Sequence, residues 1–210
     1  GYASVAIDWR GQGIADRLIA NRAIGHVGEF ADYQKDIDAL MAYVSDLDLP
    51  RPYFLVAHSM GGCIGLRAMM DGFDVNAAMF SAPMWGLQMS PPTRAFAWAL
   101  TTLGIPLGFG QKMTPGQFEE GYTLREDFAA NTLTNDPQTW ADLGRDLKAH
   151  PELGLGGPSL RWLNKALKET RALSKMPSPD VPCLVFLGTD EAIVDPSRIK
   201  SRMAAWPNGT

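Results

Sequence analysis

The residues best suited to chemistry stand where one kind of pattern gives way to another. Residues 53–57 (YFLVA) are apolar throughout, residues 60–70 continue as a helix that Gly72 ends, and Ala57-His58-Ser59-Met60-Gly61-Gly62 joins the two. A strand that reverses into a helix in so few residues forces the middle residue into a strained backbone. It also needs small neighbours two positions to either side, here Ala57 and Gly61. Such an elbow presents the Ser59 hydroxyl at the positive end of a helix dipole and lets the Met60 N–H donate to an oxyanion. The chemistry implied is attack by a serine on a carbonyl carbon. The rival account is an ordinary tight turn with an incidental serine, and the strand before and helix after favour the nucleophile. His58, next to the serine, is expected to point away from it and to be structural.

A carboxylate is the next requirement. Gly188-Thr189-Asp190-Glu191-Ala192-Ile193-Val194-Asp195-Pro196 follows the apolar run 181–187. Asp190 comes at the carboxyl end of that strand, where parallel sheets gather functional groups. A carboxylate there orients a histidine and stabilises its imidazolium form. Glu191 and Asp195 are rival acids, and Asp195 ahead of Pro196 is a natural helix N-cap. The histidines are His26, His58 and His150. For His26 and His150 a packing or surface role is expected rather than service as a base. Cys63 and Cys183 share no metal-binding spacing. Gly154-Leu155-Gly156-Gly157 follows no strand and ends in Pro158, so it is no phosphate loop.

The elements that must position these groups alternate at first. Residues 3–7 are β-prone and lead into the polar glycine loop Asp8-Trp9-Arg10-Gly11-Gln12-Gly13. Phe30, Tyr33, Ile37, Leu40, Met41, Val44 and Leu47 recur at helical spacing. Strands are expected at 3–7, 53–57, 75–80 and 181–187, with 53–57 buried on both faces. Helices are expected over 60–70 and 196–206. From 84 to 179 the pattern is helical, broken by Gly and Pro, with no strand. The fold class is therefore α/β: a mainly parallel sheet flanked by helices, with residues 1–83 and 180–210 as core and 84–179 as a helical insertion.

Composition narrows the partners. The 210 residues are 46% hydrophobic and 20% charged, which suits a folded globular chain. A net charge of −4 lacks the electrostatic footprint of a nucleic-acid binder. Residues 95–109 are largely apolar, but Gly104, Pro106 and Gly108 interrupt them, so a buried or lipid-facing helix is expected rather than a spanning one. Met84, Trp85, Leu87, Met89, Phe96, Trp98 and Phe109 either line an acyl pocket or pack a helical layer, and packing is the commoner use.

Taken in order, DWRGQG, GHVGEF, DYQKD, HSMGG and GTDEAIVDP resemble the α/β hydrolase superfamily, and within it the lysophospholipase and monoglyceride-lipase branch, which includes serine aminopeptidase-like members. The resemblance implies that Ser59 is the nucleophile, Asp190 the acid and Met60 N–H an oxyanion donor. It implies that DWRGQG is a structural loop and that the insertion is a cap over the acyl site. The implied reaction is ester hydrolysis without metal or organic cofactor, on a small acyl ester or lysolipid. Two cysteines read as reduced thiols fit a cytoplasmic setting, and the cap would make transient contact with a lipid surface. Aminopeptidase, thioesterase and non-catalytic binding variants of the fold stay open, as does the oligomeric state. The family's first strands and second oxyanion amide precede its glycine loop, and its catalytic histidine follows the acid. The expectation is thus an interior piece of a hydrolase, inactive alone.

Overall fold

Parallel strands need a crossover between them, and each strand here is followed by helix. In the computed structural model, which describes Gly1–Thr210, helix α1 (Asp32–Asp46) precedes β1 (Phe54–His58) and α2 (Met60–Met70). Then come β2 (Ala77–Ser81), α3 (Pro91–Gly104), α4 (Tyr122–Arg125), α5 (Pro137–Ala149), α6 (Leu160–Leu173), β3 (Cys183–Phe186) and α7 (Pro196–Ala204). The strands form a three-stranded parallel sheet in the order β1-β2-β3. The chain divides into two compact units: Gly1–Ala6, Tyr33–Pro91 and Leu167–Thr210 in the first, Ile7–Asp32 and Pro92–Ala166 in the second.

The first unit holds the sheet. Register places Ala57, Phe80 and Val185 on one face, together with Leu55, Ala78 and Cys183. Ala78, Phe80 and Cys183 are buried, and α2 approaches so closely that a Cβ on Gly65 would lie 2.9 Å from Leu55. On the opposite face Phe54, Val56, Leu184 and Phe186 are 49%, 70%, 39% and 53% exposed. Residues 53–57 therefore alternate instead of being buried on both faces, because α2 covers only the side that Leu55 and Ala57 face. Residues 3–7, expected as a strand, form none. A strand exists through its ladder, and β1 pairs with β2 alone. The nearby Tyr2 ring instead meets Phe54 edge-on, with centroids 5.9 Å apart. Beyond α7 the chain returns beside β3, where Gly209 bridges Cys183 in parallel.

The second unit carries α3, α4, α5 and the first half of α6. It has no strand, in keeping with the broken helical pattern, and three loop segments are stitched together by backbone bonds. Gly25 N–H donates to Gly157 O, Ser159 N–H to Gly25 O, Gly156 N–H to Ala23 O, Thr114 N–H to Pro158 O and Gly157 N–H to Phe118 O. This stitching draws residues 7–32 into the helical unit. It also accounts for the glycine-rich stretch: a Cβ on Gly156 would sit 2.3 Å from Phe118 O. The glycine loop is likewise structural, since Asp8 Oδ2 accepts the Ile14 N–H at 2.9 Å. No helix is long and apolar enough to cross a membrane.

Candidate active site

The elbow is built from two strand ends and one helix start. Ser59, half-buried between β1 and α2, has φ 48° and ψ −120°, a region that a residue with a Cβ rarely enters. Such a backbone costs about 1–3 kcal/mol and persists only where its surroundings over-determine it. Those surroundings are visible. Ser59 N–H donates to Ser81 O at 3.1 Å, and Ser59 O accepts from Gly62 and Met84, each at 2.9 Å. A serine at a helix N-cap usually turns its oxygen onto the first amides of the helix. Ser59 makes no such capping bond, so its hydroxyl is not committed to α2.

The small residue that the turn demands is Gly62, not Gly61. A Cβ on Gly61 would meet nothing within 4 Å, whereas one on Gly62 would lie 2.6 Å from Pro83 Cβ. The close approach is thus between α2 and the chain leaving β2, and the sequence alone does not reveal which later segment passes there. Ser81, Pro83, Met84 and Trp85 support the elbow without having been singled out for that purpose. Met84 and Trp85, considered for an acyl pocket, are 3% and 2% exposed inside the first unit. Phe96 and Phe109 are exposed on the second.

Asp190 lies exposed in the turn after β3. Its two rivals are engaged with backbone. Glu191 Oε1 accepts the Ile193 and Val194 N–H groups at 2.7 and 2.9 Å. Asp195 caps α7, accepting from Ser197 and Arg198 N–H. His58, as expected, turns aside: its Nδ1 lies 3.0 Å from Ser81 O. His150 is exposed and 3.2 Å from Glu152 Oε1. His26 is buried, its Nδ1 2.8 Å from Ser159 Oγ, which also accepts the Trp162 N–H. Burial, with Arg161 nearby, holds the His26 pKa below its ordinary value. The thiols are buried: burial, reinforced by Glu169, pushes Cys63 far up, and burial raises Cys183 to about 11.

The family model for serine aminopeptidases, S33, matches residues 1–208. The chain belongs to this family. It is 30% identical over 210 residues to the probable lysophospholipase L2 of Haemophilus influenzae, covering 99% of this chain and 65% of that one. Lysophospholipase L2 of Escherichia coli strain K12 is 29% identical, with 93% and 57% covered. Among solved structures, a soluble variant of the Saccharomyces cerevisiae monoglyceride lipase, in complex with a substrate analogue, superposes with a TM-score of 0.65 at 21% identity, over 96% of this chain and 64% of that one. The monoacylglycerol lipase of Paleococcus ferrophilus gives 0.66 at 19% identity, over 97% and 69%. At such identities the structures establish the fold, which is that of the α/β hydrolases. This S33 family chain spans less than two thirds of either lysophospholipase.

Proposed function

We propose that this S33 family protein is a serine hydrolase that cleaves carboxylic esters through an acyl-serine intermediate, with a lysophospholipid or monoacylglycerol as substrate class. Ser59 Oγ attacks the carbonyl carbon, and its proton passes to a general base as the tetrahedral oxyanion forms. Met60 N–H, in the first turn of α2, donates to that oxyanion with the helix dipole behind it. Asp190 orients the base. That base is assigned to none of His26, His58 and His150, whose rings engage Ser159, Ser81 and Glu152. The base then returns the proton to the leaving oxygen, and expulsion of the alcohol leaves an acyl-Ser59 ester, which water hydrolyses.

Support for the nucleophile comes from the positive-φ backbone of Ser59 and from its hydroxyl making no capping bond to α2. Support for Asp190 comes from its place in the exposed turn after β3, at the carboxyl end of a parallel strand. Support for a lipid substrate comes from the named relatives and from the second unit, where Phe96, Leu103, Leu107 and Phe109 are each at least half exposed. No charged residue lies between Arg94 and Lys112, so this surface suits transient contact with lipid. The helical insertion expected over 84–179 stays part of this reading, with its two ends, 84–91 and 167–179, lying in the first unit.

The test is a fluorophosphonate probe on the full gene product, followed by turnover of a monoacyl phospholipid, a monoacylglycerol and an amino-acyl anilide. Labelling that disappears in Ser59→Ala, with turnover of the acyl esters, is expected. Turnover of the anilide alone would replace the esterase reading with the aminopeptidase that the family description names. No labelling of the wild type would make the protein a binding module on this fold.

A further inference from the structure

The chain between β2 and α3 touches both halves of the proposed site, which are more than a hundred residues apart in sequence. Its first half holds the elbow. Ser81 O accepts the Ser59 N–H, Met84 N–H donates to Ser59 O, and the buried Trp85 indole donates through Nε1 to Gly62 O at 3.1 Å. Ala82 itself has φ 41°, a second strained residue on this stretch. Its second half holds the loop that carries Asp190. Gly86 O accepts the Asp195 N–H at 3.0 Å, Leu87 bridges Val194 in antiparallel fashion, and Gln88 N–H donates to Ile193 O at 2.9 Å. Gly86 packs so tightly here that a Cβ would lie 2.7 Å from Arg198 Cγ and 3.0 Å from Asp195 Cβ. All of these residues lie in the first unit.

We infer that residues 81–88 form a strap that sets the acid loop against the nucleophile elbow, and that Trp85 is its anchor and a positioning residue for the reaction. The inference rests on Ser59 being the nucleophile and adds what holds it in place. Trp85 suits the task because its ring is fixed on several sides. It stacks on Trp206 at 5.9 Å and 19°, meets Phe80 edge-on at 5.2 Å, and has the Arg202 guanidinium 5.8 Å from its centroid. A ring so fixed makes its N–H a rigid strut against the first turn of α2. Positions held this way matter to rate more than to binding, because a small misplacement of a reacting group costs far more in the transition state than in the ground state.

The experiment compares the full gene product with Trp85→Phe, which keeps an aromatic ring and loses the indole N–H. Steady-state turnover of a monoacyl ester and the rate of fluorophosphonate labelling are both normalised to folded protein by circular dichroism. Trp85→Phe is expected to lower kcat and the labelling rate together by about tenfold, with KM unchanged. Trp206→Phe, which disturbs the same aromatic stack but whose indole N–H donates to Val181 O rather than to α2, is expected to lower the melting temperature and leave kcat unchanged. Equal kcat for Trp85→Phe and wild type, whatever the change in melting temperature, overturns the inference and leaves Trp85 as packing. Should Trp85→Phe not fold, Gly86→Ala takes its place: it pushes on Asp195 and Arg198 rather than on the core, and an unchanged kcat there overturns the strap. Ser59→Ala separates the two readings. Labelling that survives this change removes the nucleophile assignment, and the strap's role with it. Labelling lost in Ser59→Ala but unaffected in Trp85→Phe removes only the strap.

Discussion

Two adjacent glycines in the first turn of α2 are expected to respond to alanine with opposite signs. At Gly62 an added Cβ would lie 2.6 Å from Pro83 Cβ and 2.9 Å from Pro83 Cα. Carbon atoms rest at about 3.5–4.0 Å, so the helix and the strap must separate by about 1 Å. Pro83 is fully buried and follows the strained Ala82, so it has no cheap way to yield. Over-packing of this kind costs about 1–3 kcal/mol, and replacing a helical glycine returns about 0.5–1 kcal/mol. Gly62→Ala should therefore lose up to about 2.5 kcal/mol, which for a domain of this size is a melting temperature lower by up to about 10 °C. At Gly61 the Cβ meets nothing within 4 Å, and only the helix-propensity gain remains. Gly61→Ala should be neutral or more stable by up to about 1 kcal/mol. Thermal unfolding of both variants by circular dichroism, under one set of conditions, decides the matter. A Gly62→Ala as stable as Gly61→Ala, or more stable, would refute the placement of the tight approach and with it the contact between α2 and the strap. Because Gly62 shares its turn with Ser59, Gly62→Ala should also slow fluorophosphonate labelling, whereas Gly61→Ala should not.

Further outcomes follow from other parts of the molecule. The buried His26 binds its proton less readily folded than unfolded, so its contribution to stability is complete above the unfolded pKa of about 6.5 and is lost as pH falls below it. Urea midpoints measured across that range should fall with pH in the wild type and lose that part of the slope in His26→Gln. Ser159→Ala removes both the His26 partner and the acceptor for Trp162 N–H, and should cost about 1–2 kcal/mol in the same assay. Asp195→Ala uncaps α7 and should cost about 1 kcal/mol in chemical denaturation. Cys63 and Cys183, both buried with raised pKa values, should resist a thiol reagent at about pH 8 until denaturant is added.

Local pattern was enough to find the elements of the candidate site. An apolar run ending in His58-Ser59-Met60 and passing at once into a helix leaves few backbone paths, so β1, α2 and the strained serine between them are written in adjacent residues. The parallel sheet follows from strand and helix in alternation, and the loss of that alternation after Pro83 marks the helical stretch. The N-cap role of Asp195 is likewise local, since a carboxylate before Pro196 reads the same with or without a fold around it. What the tertiary structure decided is every relation between distant segments. Residues 3–7 have strand composition but no ladder, because a strand depends on its neighbour and not on its own side chains. The exposure of Phe54 and Val56 was invisible because an apolar run does not state which of its faces is covered. Gly62 rather than Gly61 is the spatially required glycine because Pro83 passes there. Trp85 supports the elbow because its indole reaches a carbonyl 23 positions earlier in the chain. Such contacts leave no periodicity in the sequence: a hydrogen bond between segments is set by where the whole chain comes to rest.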